Sequence, residues 1–173
     1  RGLGWAFLRG LLMQVCSYYS YQDVKIVLVG SEAERSEWGF LTSLPHVYDD
    51  AGEKRSIALS IDGAIGANQL LAGEFELRSK KKDDEGPAAS GTYYLVVCAD
   101  KELAECMDAL HDIAEAGKNL GFSLLYLADS LHALPRDCTY IIDLARETDR
   151  YFTSQVRDER TASRSACMFE QSD

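Results

Sequence analysis

The first residues that could carry out chemistry are two glycines, Gly2 and Gly4, which precede an apolar helical pattern. A glycine-rich turn that opens a helix can bind phosphate, because backbone N–H groups and the positive helix end face the anion. Such a loop also needs a lysine for the outer phosphates and a hydroxyl for magnesium, and Trp5 and Ala6, which follow Gly4, supply neither. By themselves, the glycines favour a plain turn before a helix.

A second candidate follows the apolar run at residues 95–99, where Asp100 is followed by Lys101. In a nucleotide site, an aspartate at the end of such a strand can hold magnesium, and a glutamate after it would activate water. A lysine cannot act as that base beside a triphosphate. The favoured interpretation is structural: Asp100 caps the helix that begins at Lys101, because its carboxylate can accept bonds from free N–H groups there.

The remaining polar residues predict no catalytic or metal site. Asp129 follows another apolar run and would add negative charge near the other candidates. His46, His111 and His132 have no cysteine or carboxylate at convincing ligand spacing, and no nucleophile elbow or catalytic triad is recognisable. The five cysteines include no Cys-x-x-Cys pair, so we expect reduced, mostly buried thiols.

Length and charge narrow the classes of function. The 173 residues suit one domain, and because the chain begins with arginine rather than methionine we expect a longer parent protein. The formal net charge is -10, and the lysines at 80–82 are followed at once by three acidic residues, so no nucleic-acid partner is expected. No apolar stretch approaches the ~20 residues that span a bilayer, so this segment is not expected to insert into the membrane.

Five mostly apolar runs are predicted to be strands: residues 24–29, 57–61, 93–98, 122–127 and 140–144. Helical patterns separate them, at 5–19, at 31–44, from Asp62 into the charged stretch at 80–85, and from 101 to about 120. Because a strand covered on both faces is apolar throughout, we expect a mainly parallel α/β sheet with helices on both faces.

The second predicted helix carries a more specific expectation about packing. Trp38, Leu41 and Leu44 recur at helical spacing, so they should be buried against the sheet. Pro45 should end the helix, and residues 48–50 should then lie at the surface. A mostly exposed Trp38 would instead suggest a partner surface, since large exposed aromatic residues are typical interface anchors.

Local signals complete the prediction of the organisation of the chain. Ser31 and Glu34 have the spacing of a capping box, which predicts a helix start. Residues 86–91 are small and turn-forming, so they are predicted to form a mobile loop. The whole chain, 1–173, is predicted to be one domain, with a core at about 1–144 and an irregular, strand-rich tail at 145–173 that holds a hairpin.

Taken together, these stretches resemble the RecA-like, P-loop NTPase-type core of FtsK/SpoIIIE motor ATPases. The positions of Trp5 and Ala6 correspond to the family's Lys-Ser/Thr, and residues 95–100 resemble its Walker B strand, with Lys101 where glutamate is usual. Residues 113–128 resemble the helix and strand that carry the sensor residues, but the family's Thr-Gln-Arg-Pro is replaced here by a stretch that begins at Asp129. The resemblance therefore implies a pseudo-ATPase with vestigial nucleotide-pocket positions at Gly4, Trp5, Ala6, Asp100, Lys101 and Asp129.

The first third of the chain resembles, more specifically, the EssC/EccC type of type VII secretion ATPase. Its Trp38-x-x-Leu-x-x-Leu-Pro-His46 pattern is similar to one in the domain ahead of that protein's tandem ATPase modules. This implies a membrane-anchored parent and a domain on the cytoplasmic side of the membrane. Other domains of the parent motor and membrane components of the secretion complex are the implied partners.

The same resemblance implies ATP and magnesium for neighbouring domains and no cofactor for this one. Its implied role is therefore to couple the membrane complex to the active motor domains. Two alternatives stay open, an active NTP-hydrolysing motor domain and a DNA translocase domain of the same family. The altered positions argue against the first, and the acidic charge argues against the second.

Overall fold

The computed structural model describes residues 2–49, 51–81, 91–116, 120–136, 138–146, 151–158 and 163–170. These residues divide into two compact units, Arg1–Ala133 and Leu134–Asp173, and each unit has its own sheet. The predicted division into one domain with a core and a tail stays a prediction. Nearly all of the predicted mobile loop at 86–91 lies outside the described residues.

The first unit contains a four-stranded parallel sheet in the order β2-β1-β3-β4. Its strands are β1 (Val24–Val29), β2 (Ile57–Ala58), β3 (Tyr93–Cys98) and β4 (Phe122–Tyr126). β1 and β3 pair along their full lengths, and both are almost entirely buried. The predicted α/β fold with a mainly parallel sheet is thereby confirmed, and the architecture is consistent with the RecA-like class.

Helices cover both faces of this sheet. They are α1 (Gly2–Tyr18), α2 (Arg35–Trp38), α3 (Ile61–Lys81), α4 (Lys101–Glu105) and α5 (Asp108–Glu115). On β1, Ile26 and Leu28 belong to the core that contains α1 and α2. Val27 and Val29 belong to the opposite core, which contains α3, α4 and α5. Alternate side chains of a strand point to opposite faces, so a continuous apolar strand needs both layers.

The segment after β1 confirms most of the packing prediction. Trp38 is 1% exposed and donates its indole N–H to the Ser31 carbonyl at 2.9 Å, and Leu41 is fully buried. Leu44 is half-buried, and the backbone between these residues is α2 followed by 3-10 turns at Gly39–Ser43 and Pro45–Val47. The local helix is therefore irregular, although its inner face packs as expected.

The expected surface position of residues 48–50 is wrong for Tyr48, while Asp50 lies outside the described residues. The Tyr48 hydroxyl donates to the Thr42 carbonyl at 3.2 Å and accepts from Arg55 Nε at 2.7 Å. The ring is half-buried because these two bonds hold it against neighbouring turns. Asp49 is also only partly exposed.

The third helix begins earlier than the sequence predicted. β2 ends at Ala58, and Ile61 already begins a 21-residue helix, so the predicted strand end at Ile61 is wrong. Ser60 rather than Asp62 serves the first turn, because its hydroxyl accepts the Gly63 N–H at 3.2 Å. The helix persists through its glycines because its inner face is buried in the core, and packing of an apolar face outweighs weak helix propensity.

The helix predicted from 101 to about 120 is two helices, α4 and α5, separated at Cys106 and Met107. Met107 has extended backbone angles and is buried, so it turns into the core between the two helices. The Ala109 N–H in the first turn of α5 bonds to the Asn68 side-chain oxygen of α3 at 2.9 Å. The first turn of α5 is therefore capped by a side chain of another helix, and no residue adjacent to α5 in the sequence indicates where it begins.

The second unit is a three-stranded antiparallel sheet in the order β5-β6-β7. Its strands are β5 (Tyr140–Arg146), β6 (Tyr151–Asp158) and β7 (Ser163–Glu170). The hairpin predicted in the tail is present as β6 and β7, but the prediction that residues 140–144 join the parallel sheet is wrong. Short connections favour antiparallel neighbours, and β5 pairs with the strand that follows it directly.

Gly121 is predicted to be sensitive to substitution. It precedes β4 with φ +88°, and an added Cβ would lie 2.6 Å from Nη1 of Arg78, which donates to the Leu120 carbonyl at 3.0 Å. Gly121→Ala should lower the free energy of unfolding by about 1–2 kcal/mol, since a left-handed conformation strains an L-residue.

The matched control for this prediction is Gly10→Ala, in the exposed interior of α1, where an added Cβ meets nothing within 4 Å. Gly10→Ala should raise the free energy of unfolding by about 0.5–1 kcal/mol, because alanine is the better helix former. Urea unfolding of the two variants measures both changes. Equal changes of the same sign would contradict the conformational argument.

Candidate nucleotide-binding site

The residues that follow β1, β3 and β4 lie side by side beyond the carboxyl ends of the strands of the parallel sheet. The Val29 carbonyl accepts bonds from the N–H groups of Ala99 and Asp100, at 2.8 and 3.1 Å. The Cys98 carbonyl accepts the Leu127 N–H at 2.9 Å, two residues before Asp129. Ligands of parallel α/β sheets bind beyond the carboxyl ends of the strands. The fold therefore brings both aspartates to the edge where a nucleotide site would lie.

The first turn of α1 packs against the same edge. An added Cβ on Gly4 would stand 2.5 Å from Cδ1 of Leu127, so the helix approaches the end of β4 more closely than a larger residue permits. Gly2 and Gly4 both lie within α1, so the predicted turn or phosphate loop at these residues is wrong. The close packing of Gly4 against Leu127 favours a helical first turn instead.

Trp5 fills the interior between α1 and the sheet. Its side chain is 1% exposed and shares a core with Leu28 and Val97. Its indole N–H donates to the Glu34 carboxylate at 3.2 Å, across from the turn that follows β1. Ala6 is exposed, and its methyl side chain carries no oxygen. Neither side chain supplies the cation or the hydroxyl that a triphosphate with magnesium requires.

Glu34 has a partner that sequence reasoning did not identify. Its spacing from Ser31 suggested a capping box, and the Ser31 hydroxyl does accept an N–H bond, from Ala33 at 3.2 Å. The Glu34 carboxylate accepts a bond from Trp5, 29 positions earlier in the chain. The local pattern identified the right segment, but it could not show a contact between distant residues.

Asp100 is the N-cap of α4, as the structural interpretation predicted. Its backbone is extended, and one carboxylate oxygen accepts the Leu103 N–H at 3.1 Å. Lys101 is exposed, with its ammonium 3.6 Å from the Glu105 carboxylate on the next helical turn. Asp129 is exposed. The structure thus directs Lys101 to the helix surface and engages Asp100 in a local backbone bond.

Other titratable groups add no metal site in the part of the chain that the structure describes. There, no cluster of three or more histidine, cysteine or acidic side chains is placed to hold an ion. The buried His46 has its Nε2 2.9 Å from the Tyr19 carbonyl, so one ring nitrogen serves a structural contact.

The cysteines differ in their surroundings. Burial raises the pKa of Cys98 to about 12, which keeps it a neutral thiol. Cys106 is exposed, against the expectation of mostly buried cysteines.

Comparison with known proteins relates the chain to a secretion protein. No family model matches it. Over 149 residues it is 22% identical to "ESX secretion system protein EccC" of Geobacillus thermodenitrificans (strain NG80-2). The chain is a distant relative of EccC.

The aligned region covers 85% of this chain, and the chain spans about a tenth (10%) of the relative's length. The similarity supports a distant relation to type VII secretion ATPases. Among the described residues, no helix is both long and apolar enough to cross a membrane.

Two substitutions at Asp100 separate a cap from a metal ligand. Asp100→Asn keeps a good N-cap acceptor but removes the charge, so we expect a change in the free energy of unfolding below about 0.5 kcal/mol. Asp100→Ala removes the Leu103 bond and should cost about 0.5–2 kcal/mol. Thermal or urea unfolding measures both. An equal loss of free energy of unfolding in the two variants would show that the charge of Asp100 stabilises the fold, and not its hydrogen bond to the Leu103 N–H.

Proposed function

We propose that this chain is a non-catalytic, ATPase-like segment of a type VII secretion ATPase, which couples the membrane complex to the active motor domains. The buried Trp5 is the observation that carries the proposal. It occupies the first turn of α1 at the carboxyl edge of the sheet and contacts Glu34. A bulky, neutral side chain there leaves the outer phosphates of a nucleotide without their usual cation.

Two further positions support the non-catalytic part of the proposal. Asp100 already accepts a helix N–H, and Lys101 lies exposed on α4 where a glutamate base would be needed. Because the helix end alone contributes only ~0.3–1 kcal/mol at an exposed site, it cannot replace these groups. A segment of this kind keeps the shape of an ATPase core and contributes binding surfaces rather than hydrolysis.

The coupling part of the proposal is supported by the relation to EccC and by the surface. The aligned region covers 10% of that relative. A parent protein of similar length therefore has room for motor modules. At the end of α1, Tyr18 is 83% exposed, and Tyr19 and Tyr21 beside it are also exposed. Tyrosine is enriched at protein interfaces because it combines an apolar ring with a hydrogen-bonding hydroxyl. We place the segment on the cytoplasmic side of the membrane, in contact with other parts of the secretion complex.

Co-purification tests the coupling role directly. The full-length protein and membrane components of the same secretion locus are co-expressed, with either the wild-type segment or a Tyr18→Ser, Tyr19→Ser double variant. We expect capture of membrane components by the wild-type protein, and weaker capture by the double variant. A matched control, Glu102→Gln on exposed α4, should capture normally. Absence of capture would contradict the coupling role, and equal capture by the wild-type protein and the double variant would contradict the part assigned to the tyrosines.

A further inference from the structure

The outer face of α3 carries an exposed apolar stripe. Leu70 and Leu77 are 39% and 58% exposed, although the opposite face of the helix is buried in the core. Gly66 and Gly73 are exposed beside them. With about 3.6 residues per turn, these four residues lie within an arc of about 60° and form what we call the α3 seam. A contiguous apolar patch of this kind is typical of an interaction surface.

Packing within the described chain does not explain the two glycines of the α3 seam. A glycine weakens the interior of a helix relative to alanine, so its presence there needs a reason. Gly63, in the first turn of α3, has one, because an added Cβ would lie 3.1 Å from the Ala58 Cα. At Gly66 and Gly73 an added Cβ would meet nothing within 4 Å among the described residues. At such a position, a glycine leaves a shallow surface into which a side chain of another helix can fit.

The spacing of the α3 seam is the spacing of helices that pack side by side. Its residues are separated by four, three and four positions, as are alternating a and d positions of a heptad. In such packing, a side chain of one helix inserts between residues of the facing helix. The order along α3 is glycine, leucine, glycine, leucine. The α3 seam therefore fits a helix that presents a leucine to each glycine and a glycine to each leucine.

A second copy of α3 meets this requirement when it runs antiparallel. A two-fold axis at the middle of the seam, between residues 71 and 72, makes each contact occur twice. Each leucine then lies opposite a glycine of the other copy: Leu70 opposite Gly73, and Leu77 opposite Gly66. A parallel pair would instead place leucine against leucine and glycine against glycine, which crowds one level of the contact and leaves a void at the next.

The charged residues at the two ends of α3 favour the same direction. Asp62 lies in the first turn and Lys80 in the last, and both are exposed. At their helical positions they lie within about 50° of the middle of the seam. An antiparallel pair brings Asp62 of each copy toward Lys80 of the other, whereas a parallel pair brings like charges together. The Lys80 ammonium is 2.7 Å from the Glu76 carboxylate in an exposed pair, so it remains accessible to a partner.

We propose that α3 is a self-association surface, on which a second copy of this chain packs antiparallel with each leucine of the α3 seam opposite a glycine. The pairing would cover both exposed leucines, and the glycines would let the two backbones approach closely. Contact along one helix is small, so the dimer should be weak and form at chain concentrations of about 10–100 µM.

Sedimentation equilibrium of the 173-residue chain and of a Gly66→Leu variant tests the proposal. The variant places a second leucine opposite Leu77, so we expect the dissociation constant of the dimer to rise at least about tenfold. Leucine is a better helix former than glycine, and an added Cβ meets nothing here, so circular dichroism should show an intact fold. A wild-type chain that stays monomeric at about 100 µM, or an equally tight dimer of the variant, would overturn the proposal.

Exchanging a leucine and a glycine tests the antiparallel register. The double variant Gly66→Leu, Leu77→Gly again places one leucine opposite one glycine, so its dissociation constant should return to within about threefold of the wild-type value. The matched control Gly66→Leu, Leu70→Gly has the same composition but leaves the introduced leucine opposite Leu77, so it should stay monomeric. Circular dichroism confirms that both variants are folded. Equal dissociation constants for the two folded double variants would overturn the antiparallel pairing.

Discussion

Replacing Trp38 with alanine is expected to lower the free energy of unfolding by about 3–5 kcal/mol, the range for truncating a large buried aromatic residue. Trp38 is 1% exposed and packs in the core shared by α1, α2 and one face of the sheet. Its indole N–H also serves the Ser31 carbonyl at 2.9 Å, so alanine leaves both a cavity and an acceptor without its donor.

Two control substitutions show whether the loss comes from burial. Trp38→Phe keeps most of the apolar volume but not the bond to Ser31, so it should cost less than Trp38→Ala. Tyr18→Ala removes an aromatic residue that is 83% exposed and should change the free energy of unfolding by no more than about 0.5 kcal/mol. Urea unfolding gives all three values. A small effect of Trp38→Ala would instead indicate that the Trp-x-x-Leu-x-x-Leu-Pro-His pattern serves a partner.

The double variant Trp5→Lys, Ala6→Ser restores the side chains of a phosphate loop and should still show no ATP turnover. Lys101 continues to occupy the position of the base, and Asp100 continues to cap α4. The variant should also be less stable by about 3–5 kcal/mol, because a lysine cannot fill the space of a fully buried indole.

Phosphate release and urea unfolding measure these two expectations. Ala6→Ser alone is the matched control, since Ala6 is exposed and the change should be nearly neutral for stability. ATP turnover by the double variant that is abolished by Asp100→Ala would contradict this prediction. It would mean that the pocket needs only the lysine and the serine, and that Asp100 binds the metal rather than capping α4.

Local and apolar features were predictable from the sequence. β1 and β3 begin and end where predicted, because a run of apolar residues between polar turns allows few other conformations. The capping role of Asp100 was also predictable, since it depends only on the three residues that follow. The burial of Trp38 followed from helical spacing alone, although the actual backbone there is a mixture of α and 3-10 turns.

Features that depend on distant residues were not predictable. The break between α4 and α5 involves Asn68 on another helix, and the Trp5–Glu34 bond joins residues 29 positions apart. β5 pairs with β6 in a separate antiparallel sheet, and an apolar run of this length carries no signal of which sheet it joins. The close approach of Gly4 to Leu127 likewise joins residues far apart in the chain.

Isothermal titration of the 173-residue chain with Mg-ATP tests the central claim most directly. Trp5 and Ala6 provide no cation or hydroxyl for the outer phosphates, and the helix end contributes only ~0.3–1 kcal/mol. We therefore expect no heat beyond dilution at nucleotide concentrations up to about 1 mM, where binding would need only about -4 kcal/mol. Micromolar binding, which corresponds to about -8 kcal/mol, would show a working pocket and contradict the account.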